Sequence, residues 1–232
     1  MIVAVTGLDR EARVIARPDI ITVVGGGNSH SLKSQVQSAL RQGAKRVLSI
    51  GICGALSPAL KVGDCIIATE IVAEGRRVTT DRQWGRELLD RVPSAKAAIL
   101  AGSDVIVSTR EAKAKLHRET GADAVDMESH IAAAVAQDYG LPFAVVRIVS
   151  DSHRQSLPHA AVVGMSQAGR VNLPAVLRSI VAKPSQIPAL MRTAWEAEKA
   201  FQALFRCRHV LNPVAEVGLV PANLGELSLD VS

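Results

Sequence analysis

Apolar and polar positions run along this chain in two rhythms, which together predict alternating strands and helices. Short apolar runs at residues 2–5, 20–24, 46–50, 65–68 (continuing towards 72), 97–100 and 143–149 read as strands. Residues 104–107 read as one more strand segment, beyond Gly102-Ser103. Helical spacing fills the intervals: from about residue 9 to 16, then 31–42, 82–92, 111–119 and 129–138. Thr6 or Asp9 is placed to cap the first of these helices. Residues 51–56, Gly-Ile-Cys-Gly-Ala-Leu, read as a loop of small residues, and Gly63-Asp64 as a tight turn. After residue 151 the style changes to a polar loop over 152–158, expected to be mobile. Helical patterns follow over 160–169, 173–182 and 187–206, with breaks at Pro184 and Pro188. Residues 211–232 read as a loose tail.

The stretch 123–151, DAVDMESHIAAAVAQDYGLPFAVVRIVSD, holds the densest chemistry. A short strand ends in Asp126 and Glu128, and a helix then runs to Asp138. Gly140 and Pro142 stop the helix, and an apolar strand follows that Arg147 alone interrupts before Ser150 and Asp151. Apolar character on both faces suits an interior strand of a covered sheet. The acids have ordinary explanations as caps, dipole partners and turn residues. Both sets nevertheless fall at the expected carboxyl edge of one sheet, where α/β proteins bind ligands.

Composition narrows the classes. The expected architecture is α/β: a single domain with a mixed twisted central sheet flanked by helices and a helical C-terminal extension. The division runs 1–182 for the α/β domain, 183–210 for the extension and 211–232 for the tail. In the 232 residues 48% are hydrophobic but only 3% aromatic, so Ala, Val, Leu and Ile must build the core. Cys53, Cys65 and Cys207 form no CxxC pair, which suits a reducing compartment. The six histidines show no ligand cluster, so no metal is expected. The net charge of +5 is spread without a basic block before the C-terminal third, and stacking aromatics are scarce, which argues against nucleic acid. With neither a signal-like start nor an apolar run of the roughly 20 residues that span a bilayer, the expected location is the cytoplasm. Gly25-Gly26-Gly27-Asn28 after the second strand is not GxGxxG; it fits either amides approaching a ligand or a packing turn. The segment 187–206 mixes apolar side chains with Arg192 and Lys199, and Arg206 and Arg208 stand at its end. It reads as a packing helix or as an interfacial helix that meets lipid at the inner membrane face.

In this order, GLDREA, GICGALSPALKVGD, AVDMESH and VVRIVSD resemble the superfamily of purine nucleoside phosphorylases and methylthioadenosine nucleosidases, over about the first two thirds of the chain. Within it, TGADAVDMESH, SDSHRQSLP and the Pro-broken helical tail are most similar to hopanoid-associated phosphorylases, which act on adenosylhopane. The resemblance implies a nucleoside phosphorylase-like fold and cleavage of an adenine N-ribosyl bond. It assigns Asp151 to the purine N7, with Ser150 orienting it. Glu128 is assigned to the ribose hydroxyls, with Met127 against the sugar, and Glu11 to activation of water. Asp126, Ile52 and Gly54 join the substrate-binding set, and Ile106 and Val107 line the base pocket where relatives often present an aromatic ring. It also implies at least a homodimer and no cofactor.

These residue types suit the reaction. Breaking an N-ribosyl bond builds positive charge on the sugar and negative charge on the base. A protonated carboxyl at N7 and an ionised one near the ribose hydroxyls answer both. The nucleophile stays open. Phosphorylases of the superfamily hold phosphate with Arg-x-Gly-Ser/Thr, where this chain has Ser49-Ile50-Gly51-Ile52; Glu11 favours water. Gly26, Gly27, Asn28 and Arg10 offer a substitute site for phosphate as co-substrate. A soluble methylthioadenosine/S-adenosylhomocysteine-type nucleosidase and a non-catalytic nucleoside-binding protein are the alternatives.

Overall fold

The computed structural model describes residues 1–164, 169 and 172–211. The expected tail lies outside them but for residue 211. In chain order the elements are β1 (Ile2–Thr6), α1 (Asp9–Ile15), β2 (Ile20–Val24), α2 (Ser29–Arg41), β3 (Arg46–Ala55), β4 (Cys65–Ala73), β5 (Arg76–Thr79), α3 (Arg82–Arg91), β6 (Lys96–Gly102) and α4 (Arg110–Thr120). Then come β7 (Ala124–Asp126), α5 (Ser129–Asp138), β8 (Phe143–Asp151), α6 (His159–Gly164), α7 (Leu173–Ala182) and α8 (Ile187–Cys207), the last two joined by the one-turn 3-10 helix Pro184–Gln186.

One mixed sheet of eight strands organises them. β8 lies between β3, to which it is parallel, and β4, to which it is antiparallel. β4 pairs with β6, β6 with β7, and β7 returns to the tip of β3. The strands β3-β8-β4-β6-β7 therefore close a ring, while β1 and β2 extend the sheet beyond β3 and β5 folds back on β4. Side chains alternate across the sheet with period two, as pleating requires. Val3, Val5, Val47, Val145 and Val149 pack beneath α2 and α5. Ala4, Leu48, Ile50, Val146 and Ile148 face the other way, onto Trp84 and Leu88 of α3 and onto Ala200, Phe201, Ala203 and Leu204 of α8. The second half of α8 is thus part of the main core, and burying Phe201 or Leu204 is worth about 1.5–3 kcal/mol each.

Four expectations are corrected. The small-residue stretch is no loop: β3 continues through Ala55, with an irregularity between Cys53 and Gly54 where the strand leaves β8 and takes up β7. Residues 104–107 form no strand, because β6 stops at Gly102 and β7 takes the position beside it. Neither Thr6 nor Asp9 caps α1. Leu8 occupies the cap, the Glu11 carboxylate accepts the Gly7 and Leu8 amides, and the Thr6 hydroxyl donates to Val23 O instead. Of the helix expected over 160–169, α6 covers the part up to Gly164, residues 165–168 lie outside the described residues, and Gly169 is not helical: its φ is +70° and its carbonyl accepts the Asp9 amide. The loop over 152–158 is tied to α4 and its lead-in: Leu157 N donates to Ser108 O at 2.7 Å and Arg110 N to Ser156 Oγ at 3.1 Å.

Candidate active site

The ends of β3, β7 and β8, the segments that follow β1, β2 and β6, and residues of α1 and α6 surround a cavity of about 530 Å³. Its lining includes Glu11, Ile52, Gly54, Ile106, Val107, Asp126, Met127, Glu128, Ser150 and Asp151, so the structure gathers every residue assigned to catalysis or substrate binding. They do not share one parallel edge, however. β8 ends at Asp151 beside Gly54, whereas β7 runs antiparallel to β3 and brings Asp126 back towards the middle of that strand. The acids meet because two strands running in opposite directions finish at the same place.

Arg147 is the hub beneath them. Fully buried, it lies 2.6 Å from Asp126 Oδ2, 2.7 Å from Ser49 Oγ, 3.3 Å from Ser129 Oγ and 3.6 Å from Glu128 Oε2. Burial pulls its pKa down, but Asp126, Glu128 and Glu11 outweigh that and leave it raised. One guanidinium faces three acids, so they cannot all be ionised cheaply. Burial raises Glu11, against Arg147 and the amides of Ile52, Leu8 and Gly7. Burial also pushes Glu128 up to about 8; Arg147 opposes the rise while Asp126 and Glu11 add to it. In the unligated site the Glu128 carboxyl is thus drawn towards its protonated form, against the ionised form expected beside the ribose hydroxyls.

Glu11 is fixed by backbone. Oε2 accepts Gly7 N at 2.7 Å and Leu8 N at 2.9 Å, and Oε1 accepts Ile52 N at 2.8 Å, leaving one lone-pair direction on Oε1 for a ligand. Glycine makes this crowding feasible. A methyl at Gly51 would lie 2.5 Å from an Arg147 nitrogen and 2.6 Å from Glu11 Oε1, and one at Gly54 would lie 3.2 Å from Asp151. Ser150 Oγ lies 2.9 Å from Asp151 Oδ1 and 3.0 Å from Cys53 O, so its single proton can serve either. The other Asp151 oxygen pairs with Lys113, a lysine only 1% exposed, whose remaining hydrogen bonds reach Ser152 O at 2.9 Å and Gln155 O at 3.1 Å. Cys53 also lines the cavity, but burial pushes its thiol well above the ordinary range, away from thiolate chemistry.

The substitute phosphate site does not assemble. Gly26 and Gly27 line the cavity, but Asn28 caps α2 by accepting Ser31 N. Arg10 points to α8, 2.7 Å from Glu198 and stacked on Phe201 at 4.1 Å. Among the described residues the lining carries five carboxylates, with Asp104 at the rim, and no Lys, Arg or His.

A family model described as the phosphorylase superfamily matches residues 14–182. The chain belongs to the phosphorylase superfamily. Among curated relatives of this superfamily member, aminodeoxyfutalosine nucleosidases from two strains of Helicobacter pylori are each 28% identical over 147 residues, 54% of this chain. The match spans 64% of each relative's length, a little under two thirds. Solved structures with the same fold include a futalosine hydrolase of Helicobacter pylori strain 26695, at TM-score 0.66 and 19% identity over 90% of this chain and 95% of that one. A methylthioadenosine/S-adenosylhomocysteine nucleosidase of the same species follows at TM-score 0.61 and 22% identity, over 78% of this chain and 97% of that one.

Two residues of this phosphorylase-superfamily site escape the sequence reading. Arg147 shows there only as the exception in an apolar strand, a signal that names a buried ion pair but not its partners. Lys113 is hidden in the charge-rich run REAKAKLHRET, and its one clue is that it lies three residues before Leu116, which packs on a small core cluster.

Proposed function

We propose that this chain hydrolyses the N-ribosyl bond of an adenine nucleoside whose 5′ position bears a bulky apolar group, adenosylhopane being the compound that fits the sequence resemblance. One observation carries the choice of water over phosphate: the lining just described offers a dianion five carboxylates and no cationic side chain. A phosphate in that setting lacks the partners that normally hold it.

In this reading the C1′–N9 bond breaks with its electron pair leaving on adenine. Asp151 serves N7 and, with Lys113 behind it, directs a proton to the departing base. Water attacks C1′ from the side of Glu11, which takes the water proton through the free direction on Oε1. Glu128 stands on the ribose side, where its carboxyl oxygens bind the sugar hydroxyls and answer the positive charge growing on the ring. Aliphatic side chains, Leu8, Val105, Ile106, Val107, Leu157 and Val162, make up much of the remaining lining and suit an apolar substituent.

The test is release of adenine from adenosylhopane, methylthioadenosine and aminodeoxyfutalosine, each with and without phosphate, with the sugar product weighed by mass spectrometry. Adenine and a free sugar in phosphate-free buffer, fastest from adenosylhopane, are expected. Strict phosphate dependence with a ribosyl phosphate product would overturn the water reading, and a preference for either of the other nucleosides would overturn the apolar group.

A further inference from the structure

We propose that the exposed faces of α7 and the first half of α8 form a docking surface for an anionic lipid bilayer. Seven of the ten large hydrophobic side chains exposed among the described residues lie on these two helices. On α7 they are Leu173, Leu177 and Val181, at 63%, 62% and 80% exposure; on α8 they include Ile187, Met191 and Trp195, at 40%, 68% and 63%. Spacing by four residues sets each trio along one face of its helix. Neither row is the margin of a buried stripe. α7 turns Val176 towards Gly164 of α6, and α8 buries Ala200, Phe201, Ala203 and Leu204 further along. Single exposed apolar residues are ordinary, but rows of them mark a surface that meets something.

Charge decides what that something is. Over residues 172–209 the chain has six Lys and Arg against two Glu. All six, Arg178, Lys183, Arg192, Lys199, Arg206 and Arg208, are exposed. Both acids are already engaged, Glu196 by Arg192 at 3.0 Å and Glu198 by Arg10 at 2.7 Å. A second copy of the same face would bring like charges together, whereas anionic headgroups complement them. Lys199 Nζ sits 4.7 Å over the Trp195 ring and the Arg208 guanidinium 4.0 Å over Phe205. An amphipathic ring with a cation beside it is the pairing that settles at the boundary between headgroups and acyl chains. The surface is wider than the segment 187–206 expected from sequence. Its exposed apolar residues come from α7 as much as from α8, whose Phe201 is buried in the core. It also lies one layer outside the cavity, since α6 gives Val162 to the lining and packs against α7 through Gly164.

Docking is independent of which nucleoside the cavity takes, so it is tested without substrate. The full chain is sedimented with vesicles of phosphatidylcholine alone or mixed with phosphatidylglycerol, at low and high salt. Trp195 emission is followed in parallel, Trp84 being buried. Salt-sensitive binding to the anionic vesicles with a blue shift is expected. Leu177→Glu combined with Met191→Glu should cut partitioning by about tenfold or more. Melting temperature, oligomeric state and cleavage of a small soluble nucleoside should stay as in the unmodified chain. Absence of binding to anionic vesicles, or equal binding by the double variant, overturns the proposal. So does a double variant that loses a subunit contact by light scattering, which would assign the face to a second copy.

Discussion

At the scale of single residues, the site is an arrangement of carboxylates told apart by what stands behind each. Asp151 has an ammonium, Asp126 a guanidinium, Glu11 three amides, and Glu128 has burial with only a distant share of Arg147. Asp151→Asn keeps a carbonyl for Lys113 but cannot pass a proton, so turnover should fall by roughly 10²–10⁴ with the fold retained. Lys113→Met leaves Asp151 buried without its partner and frees Ser152 and Gln155. It should cost about 3–5 kcal/mol in a denaturant melt as well as turnover. Loss of turnover with full stability would show that Lys113 is not holding this wall. Glu128 makes a separate prediction. Between its ordinary 4.5 and about 8 the folded site holds a proton that the unfolded chain has released. Stability therefore falls as pH rises through that window. Thermal melts of the unligated protein from pH 5 to 8.5 should show the decline, and Glu128→Gln should reduce it, leaving the share of Glu11, which burial also raises. The acids themselves were legible from sequence because they stand next to strand ends. Their backing was not, because Lys113, Ser49 and Ser129 come from elements far apart in the chain.

Among elements, β3 explains most about the site. Its first half is an ordinary buried strand, and its second half carries Gly51, Cys53 and Gly54 where Arg147, Glu11 and Asp151 lean across it. Sequence reading took those small residues as a loop, since glycine usually weakens strands. The strand persists because β8 pairs with it on one side and β7 captures its tip. Gly51→Ala should therefore act as a clash, not as a relaxed loop change. The methyl meets both Arg147 and Glu11, so melting temperature and adenine release should drop together. An alanine variant with unchanged melting and turnover would place Glu11 and Arg147 elsewhere. Most helices were placed from their periodicity to within a residue or two. β5 was not anticipated, because a four-residue edge strand of Arg, Arg, Val and Thr carries no apolar signal.

For the whole molecule, the sequence indicated a mixed sheet covered by helices but not that five strands of it close on themselves. Closure depends on β7, a strand of three residues that joins β6 to the tip of β3, and nothing in Ala-Val-Asp announces such a role. The sequence likewise marked 187–206 as amphipathic without showing that the apolar residues divide along the helix, core at one end and open face at the other. The ring also has a consequence for how the chain acquires its activity. β8 is inserted between β3 and β4, although the chain makes four other strands between β3 and β8. Glu11, Glu128 and Asp151 face one another only once that late strand has taken its place. A fragment ending before residue 143 lacks both Arg147 and Asp151, so on the proposed roles it is expected to release no adenine. On those roles, adenine release by a refolding chain reports that β8 has been paired on both sides.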